Sequence, residues 1–229
     1  ITIPGSVTLI EENAFSACEN LATVTFEPNS SNTPLTIDVQ SKYLNYTPFY
    51  DSNNITTLNI NRELVAANDY MPMALFENHS RLANINIGAQ MKTIHKEMFD
   101  NCIGLTSVVI PGNVTTIEDY AFEWCSYLKD VTIEGGEERG RKIGNGAFSR
   151  CTNLTSFNFT GISTIGDYAF AYCKNLPSIK IPGSVDFIGN NTFRECTSLK
   201  SVNFASGEGS VTIGCMTQTY AVVGDTENG

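Results

Sequence analysis

A repeated unit of about 23 residues limits what this chain can fold into more than any other feature of its sequence. The segment ITIPGSVTLIEENAFSACENLATV, from Ile1, recurs as VVIPGNVTTIEDYAFEWCSYLKDV from Val108 and as IKIPGSVDFIGNNTFRECTSLKSV from Ile179. The Phe of the AFxxC segment recurs at intervals of 34, 27, 23, 23, 26, 22 and 23 residues, at Phe15, Phe49, Phe76, Phe99, Phe122, Phe148, Phe170 and Phe193. Because one such unit cannot bury its own apolar side chains, the units must stack on one another into a solenoid.

The apolar positions inside each unit predict its local structure. Val-x-Ile is a strand pattern with the first and third side chains in the core and the middle one facing out. Pro and Gly end this strand, and Val-x-x-Ile then predicts a second short strand. The segment 12–15 and its equivalents suit one helical turn. We therefore predict an α/β solenoid that is dominated by strands, with a parallel β ladder, short helical turns and one right-handed stack of coils. The repeated Phe should form the spine of its core.

The repeat also divides the chain. Residues 1–204 should form one solenoid domain of about 8.5 units, and residues 205–229, which lose the AFxxC phase, should be a C-terminal cap or a linker. Longer intervals between the repeats place insertions near 27–40, 61–70 and 134–142. The third insertion, EGGEERGRK, is charged and rich in Gly, so we expect a mobile loop there.

The strand segments LATVTF, from Leu21, and LTSVVI, from Leu105, carry the pattern Leu-x-x-Val-x-Ile/Phe. Together with IPGSV and IGxxAFxxC, this unit resembles that of the BspA-like leucine-rich repeat family over about residues 1–204. The resemblance implies a secreted or cell-surface protein of anaerobic bacteria or parasitic protists that adheres to host matrix proteins or other cells. It supplies no catalytic motif and implies no cofactor.

The charge balance argues against binding to nucleic acid. The chain has 14 Lys and Arg against 24 Asp and Glu, a formal net charge of −10. Without a basic stripe to neutralise phosphates, it is a poor candidate for binding nucleic acid. No run of 18 apolar residues is present, so we predict no membrane span. The chain starts at Ile1 without Met or a signal peptide, which we interpret as a processed or excised fragment.

Cysteine, histidine and carboxylate positions give little support for catalysis. Six of the seven cysteines share one repeat position: Cys18, Cys102, Cys125, Cys151, Cys173 and Cys196. We expect buried free thiols there, with disulfides between coils as the alternative and no metal site, because side chains that point one way do not converge on an ion. His79 falls at the cysteine position and should be half-buried, and His95 should be a turn residue near the surface. The carboxylates look like a solvated surface with no prominent pair.

Three surfaces could contact a partner. The first is the outward middle position of the strands, a field of short polar residues: Thr25, Asn59, Asn86, Thr132, Asn158, Lys180 and Asn203, with Thr2 and Val109 at the same position. The second is the position two residues after the Phe, where Trp124, Arg150 and Tyr172 follow one another and could form a cation–π stripe. The third is the edge with the insertions of repeats two and three.

We therefore predict a non-catalytic recognition or adhesion module that binds an extracellular protein or a glycan through its solenoid face. Two alternatives stay open. The coils could be a rigid spacer that presents another domain, or the chain could be a carbohydrate-active enzyme on a β-solenoid. The enzyme would need a cluster of acidic or basic residues in a groove.

Overall fold

The chain forms a solenoid of short strands. The structure is a computed structural model that describes residues 1–38, 47–67, 74–135 and 140–205, and the backbone of two strands beyond them. In chain order the strands are β1 (Thr2–Ile3), β2 (Leu9–Ile10), β3 (Thr23–Phe26), β4 (Leu35–Ile37), β5 (Thr57–Ile60), β6 (Leu64–Ala66), β7 (Asn84–Ile87), β8 (Thr93–Ile94), β9 (Ser107–Ile110), β10 (Thr116–Ile117), β11 (Asp130–Ile133), β12 (Arg141–Ile143), β13 (Ser156–Asn158), β14 (Ile162–Ile165), β15 (Ser178–Ile181), β16 (Phe187–Ile188), β17 (Ser201–Phe204), β18 (Thr212–Ile213) and β19 (Val222–Gly224). Apart from these last two strands, the predicted cap or linker at 206–229 lies outside the described residues.

Odd-numbered strands line one side of the solenoid, and even-numbered strands line another. The odd strands form three parallel sheets, ordered β1-β3-β5-β7, β9-β11-β13 and β15-β17-β19. The even strands form the parallel sheets β2-β4-β6 and β8-β10-β12-β14-β16-β18. Residues at the same repeat position pair with each other, for example Val108 with Val131 and Ile110 with Ile133. The predicted parallel β solenoid is thus confirmed.

A column of stacked phenylalanine rings runs through the core. All eight repeated Phe side chains follow one another, with centroids of neighbouring rings 5.2–6.1 Å apart and ring planes within 6–28° of parallel. Seven of these rings are buried, and Phe15, in the first coil, is half-buried. Leu, Ile and Val side chains from both strand rows surround the column. This confirms the predicted spine of the core.

The predicted helical turns are wrong, and the fold is a β solenoid rather than α/β. The described residues contain no helix, and hence none long and apolar enough to cross a membrane. In the AFxxC segments, the residues two before and two after the Phe have left-handed backbone, as at Tyr120 (φ 58°) and Trp124 (φ 57°). The N–H groups of Tyr120, Phe122 and Trp124 donate to carbonyls of the next coil at 2.8–2.9 Å. A helical turn would direct its N–H groups along its own axis, whereas this turn uses every second one to join two coils.

The shared cysteine position has a hydrogen-bonding role. Five cysteines are buried free thiols, as predicted, and each lies within 3.0–3.3 Å of the carbonyl oxygen of the Phe in the preceding coil, to which its thiol donates. Ser52 occupies the same position and donates to Phe15 O at 2.6 Å. Cys18, in the first coil, is exposed. Cys215 lies outside the described residues.

Two buried arginines tie neighbouring coils together where the repeat is irregular. Arg62 is fully buried and donates to the carbonyls of Gly5, Val7 and Thr33 at 2.9–3.3 Å. Arg141 is 4% exposed and lies at the start of β12. Strand β12 therefore corrects the prediction of a mobile loop over 134–142 at residues 141–142. Residues 136–139 lie outside the described ones.

Candidate functional site

The outward row on the odd strands is a polar ladder whose members bind each other. Strand register places Thr25, Asn59 and Asn86 side by side on β3, β5 and β7. Asn86 Nδ2 donates to Asn59 Oδ1 at 2.7 Å, and Asn59 Nδ2 donates to Thr25 Oγ1 at 2.9 Å. A ligand on this part of the surface would have to compete with these internal hydrogen bonds.

The rest of this row continues along the later sheets. Thr132 pairs in register with Asn158, and Lys180 pairs with Asn203. Asn158 and Lys180 are exposed, and Thr132 and Asn203 are partly buried. The structure therefore places all seven predicted residues on one outward row, and their role in binding stays a prediction.

Trp124, Arg150 and Tyr172 form a compact group, which we call the aromatic stack. The guanidinium carbon of Arg150 lies 4.3 Å from the Trp124 ring centroid and 4.5 Å from that of Tyr172. Trp124 is 45% exposed, and the Arg150 side chain is 37% exposed. All three residues lie two positions after their repeated Phe and have left-handed backbone there. Arg150 is thus held between two rings that come from the coils on either side of its own, at an exposed surface.

The aromatic stack lies on the turn edge, which we define as the side of the solenoid formed by the residues up to two positions from each repeated Phe. Tyr120 and Tyr168, two residues before their Phe, are also exposed there. Gly146 holds the same position in the coil between them, and a Cβ atom there would lie within 2.6 Å of the Tyr120 ring. The ring therefore covers the space that a side chain at Gly146 would need. These two tyrosines were not among the predicted site residues, although they share one repeat position in the sequence.

Four carboxylates form a second row on the turn edge, which we call the acidic strip: Glu77, Glu97, Asp100 and Glu123. Glu77, Asp100 and Glu123 follow the Phe directly in three successive units, so their alignment could have been read from the repeat. Burial raises the pKa of Asp100 to about 7, and repulsion by the other three carboxylates adds to the shift. Burial also raises the pKa of Glu77 and of Glu123, with Glu97 contributing repulsion to both. The acidic strip corrects the prediction that the carboxylates form a solvated surface with no prominent pair.

With this geometry in place, comparison with known proteins identifies the repeat. A family model described as the BspA type leucine-rich repeat region matches residues 1–129 and 136–221, in six copies. The chain belongs to the BspA-type leucine-rich repeat family. No curated protein is significantly similar to it.

Solved structures of several leucine-rich repeat proteins are similar to this BspA-type chain. A leucine-rich repeat protein of T. pallidum is 28% identical over 51% of this chain and 56% of its own, with a TM-score of 0.48. One from Bacteroides ovatus is 19% identical over 99% of this chain and 71% of its own, with a TM-score of 0.46. A leucine rich cell surface protein from Faecalibacterium prausnitzii is 19% identical over 95% and 79%, with a TM-score of 0.36. This chain thus spans only about half of the T. pallidum protein.

The two histidines of this BspA-type chain lie in different surroundings. His79 is buried at the cysteine position, and its burial lowers its pKa. His95 contacts Glu63 at 3.8 Å, Glu118 at 3.5 Å and Leu64 O at 2.6 Å. Burial alone would lower the pKa of His95, but these acceptors outweigh it and raise the pKa. His95 is therefore a bridge between coils rather than the surface turn residue that the sequence predicts.

Nothing in this arrangement resembles a metal centre. Among residues 1–38, 47–67, 74–135 and 140–205, no group of three or more His, Cys, Asp or Glu side chains could hold a metal ion. Burial raises the pKa of the thiols of Cys102, Cys125 and Cys151 far above the neutral range, so these thiols are poor nucleophiles.

The acidic strip leads to a prediction for stability. Asp100 has a pKa of about 7 in the folded protein and an ordinary value of 3.8. Between these two values the folded protein keeps a proton on Asp100 that the unfolded chain has lost. The free energy of unfolding therefore falls as the pH rises from about 4 towards 8. We expect Asp100→Asn to flatten this fall and to raise the free energy of unfolding by about 1–2 kcal/mol at pH 8, a value reduced because the site is partly solvated.

Urea unfolding from pH 5 to pH 8 measures this effect. Asp186→Asn, which removes an exposed carboxylate elsewhere, serves as the control and should change the profile little. A shallow slope of the same sign should remain in Asp100→Asn, because His95 also has a raised pKa. An unchanged slope in Asp100→Asn would contradict the assignment.

Proposed function

We propose that this chain is a non-catalytic recognition module that binds a protein partner at its turn edge. The observation that carries the proposal is the position of Arg150 between Trp124 and Tyr172 at an exposed surface. Trp, Tyr and Arg are the residue types that contribute most binding energy at protein interfaces. Their mutual packing fixes the side chains before binding, which lowers the entropic cost of association.

The outward polar row is a weaker candidate for the binding surface than the turn edge. Apart from Lys180 its side chains are short, and Asn86, Asn59 and Thr25 already bind one another. Such a row keeps a sheet soluble and offers no large anchor. Membership of the BspA-type family supports a secreted or cell-surface setting, in which the partner would be an extracellular protein.

The test begins with binding of the chain to a panel of immobilised extracellular matrix proteins and to a glycan array. For a protein that binds, we expect Trp124→Ala to weaken the affinity at least 10-fold, because an anchor residue contributes about 2 kcal/mol or more. Tyr127→Ala is the matched control, since Tyr127 is 57% exposed but lies outside the aromatic stack.

Three other results would contradict the proposal. A loss of affinity in Asn86→Ala but not in Trp124→Ala would assign binding to the outward row. Binding to glycans alone would show that the partner is a carbohydrate and not a protein. A chain that binds neither proteins nor glycans would be a spacer that presents another domain.

A further inference from the structure

The turn edge carries more negative charge than its neighbours neutralise. Glu97 is paired with Lys96 at 3.5 Å, and Glu123 is paired with Arg150 at 3.8 Å. In the described part of the chain, no other salt bridge involves the acidic strip. The side chains of Glu97 and Glu123 are only 26% and 22% exposed, so water screens them incompletely. Four carboxylates therefore share two cations in a partly desolvated row.

Asp100 shows most clearly that the acidic strip is unsatisfied. Its Oδ1 atom is buried and has no hydrogen-bond partner among the described residues. An orphaned buried acceptor is costly, and proteins retain such conflicts mainly where function requires them. Cations supplied from outside would relieve part of the repulsion that the neighbouring carboxylates exert on Asp100.

The acidic strip and the aromatic stack are continuous. Glu123 precedes Trp124 in sequence and is paired with Arg150, which lies on the Trp124 ring. Arg150 and Tyr172 follow in the next two coils, so the face of Trp124 opposite Arg150 lies towards the coil of Asp100. From Glu77 to Tyr172 the surface crosses five coils, a length of roughly 20 Å at the spacing of parallel strands. An extended peptide of about six residues has that length.

Resting on the proposed function, we propose that the partner contributes a basic, extended peptide segment, which lies along the turn edge across the acidic strip and the aromatic stack. Its Lys or Arg side chains would pair with the partly exposed carboxylates of Glu77, Glu97 and Glu123. A guanidinium or ammonium group against the exposed part of the Trp124 ring would add a cation–π contact. Complementary charge of this kind steers association and selects the partner.

Two other occupants fit less well. A divalent cation needs converging ligands, and no described group of His, Cys, Asp or Glu has that arrangement. An anionic ligand such as a nucleic acid or a sulfated glycan would meet the repulsion of the acidic strip. Several cations spaced along a peptide match carboxylates that are spread over three coils.

The test uses a fluorescein-labelled octapeptide of alternating lysine and serine as the probe, with a glutamate–serine octapeptide as the negative probe. The strip variant Glu77→Gln/Asp100→Asn/Glu123→Gln is compared with the control variant Glu27→Gln/Asp130→Asn/Asp186→Asn. Each variant replaces three carboxyl groups by amides, and the control carboxylates are exposed residues outside the acidic strip. The strip variant removes repulsion, so it should remain folded, and thermal unfolding checks this.

By fluorescence anisotropy at low salt, we expect the lysine peptide to bind the strip variant at least 10-fold more weakly than the original chain. The control variant should lose no more than 3-fold. Equal losses in the two variants would show general attraction to an acidic protein and would overturn the inference. Unchanged affinity in both variants would also overturn it, as would binding of the glutamate peptide as tight as that of the lysine peptide.

The same variants separate this inference from the proposed function. If Trp124→Ala abolishes binding of the partner found on the panel while the strip variant binds it normally, the recognition site stands and the basic segment is wrong. If the lysine peptide distinguishes the two triple variants but Trp124→Ala leaves partner binding intact, the acidic strip binds cations and the proposed site of recognition fails.

Discussion

Arg141→Ala is expected to lower the free energy of unfolding by about 3–5 kcal/mol, because several carbonyl oxygens lose their donor at about 1–3 kcal/mol each. The Arg141 guanidinium donates to the carbonyls of Glu134 and Gly135 and, in the coils on either side, to those of Gly112 and Thr160. Truncation leaves these oxygens without their donor in a region that a small side chain cannot refill. The loss affects three coils at once.

Chemical denaturation of the original chain and of Arg141→Ala measures this effect, with Arg194→Ala as the control because Arg194 is exposed. Arg141→Lys should recover only part of the loss, since one ammonium group reaches fewer carbonyls than a planar guanidinium. A change below about 1 kcal/mol in Arg141→Ala would show that the guanidinium does not tie the coils together.

Phe122→Ala should cost about 3–5 kcal/mol, the range for removing a fully buried aromatic side chain. Its ring lies between those of Phe99 and Phe148, with centroids 5.2 and 5.3 Å away. Substitution therefore removes two ring contacts and leaves a cavity in the middle of the column. Phe15→Ala should cost less than half as much, because Phe15 is half-buried and stacks on one neighbour, Phe49.

Thermal and urea unfolding of the two variants give this comparison. Equal losses at the two sites would contradict a column whose central members contribute more than the end. An effect of Phe122→Ala below about 1 kcal/mol would contradict close packing at the centre.

The sequence was sufficient to predict the features that depend on repeat position. Phe122 and Phe148 occupy the same position in successive units, so stacking the units places one ring on the other. The same reasoning placed Trp124, Arg150 and Tyr172 together, because they share the position two residues after the Phe. Parallel stacking requires only that equivalent residues lie above one another, and this requirement is independent of the detailed backbone.

The features that were missed depend on hydrogen bonds between coils. Ala121-Phe122 and its equivalents suit a helical turn by local propensity, but the N–H groups of Tyr120, Phe122 and Trp124 are used by the next coil. Cys125 looks like a small apolar residue, although its thiol donates to Phe99 O at 3.2 Å. Burial of Arg141 depends on how an irregular coil folds, which no repeat position specifies.

The candidate site also has one part that the sequence predicted and one part that was missed. The aromatic stack was predicted, whereas the acidic strip was overlooked because each carboxylate was judged alone as a surface residue. Aligning Glu77, Asp100 and Glu123 by repeat position would have revealed the row. The raised pKa of Asp100 could not have been read from the alignment, since it depends on the depth at which the carboxyl group is buried.

A double-mutant cycle on the phenylalanine column tests most directly the claim that equivalent residues of successive units stack on one another. Phe122→Leu, Phe148→Leu and the double variant should show a coupling energy of about 0.5–1.5 kcal/mol in urea unfolding, because their rings are in contact. Phe122→Leu combined with Phe193→Leu should be additive, since two rings of the column separate these residues. Coupling of equal size in both cycles, or none between Phe122 and Phe148, would contradict the stacked solenoid.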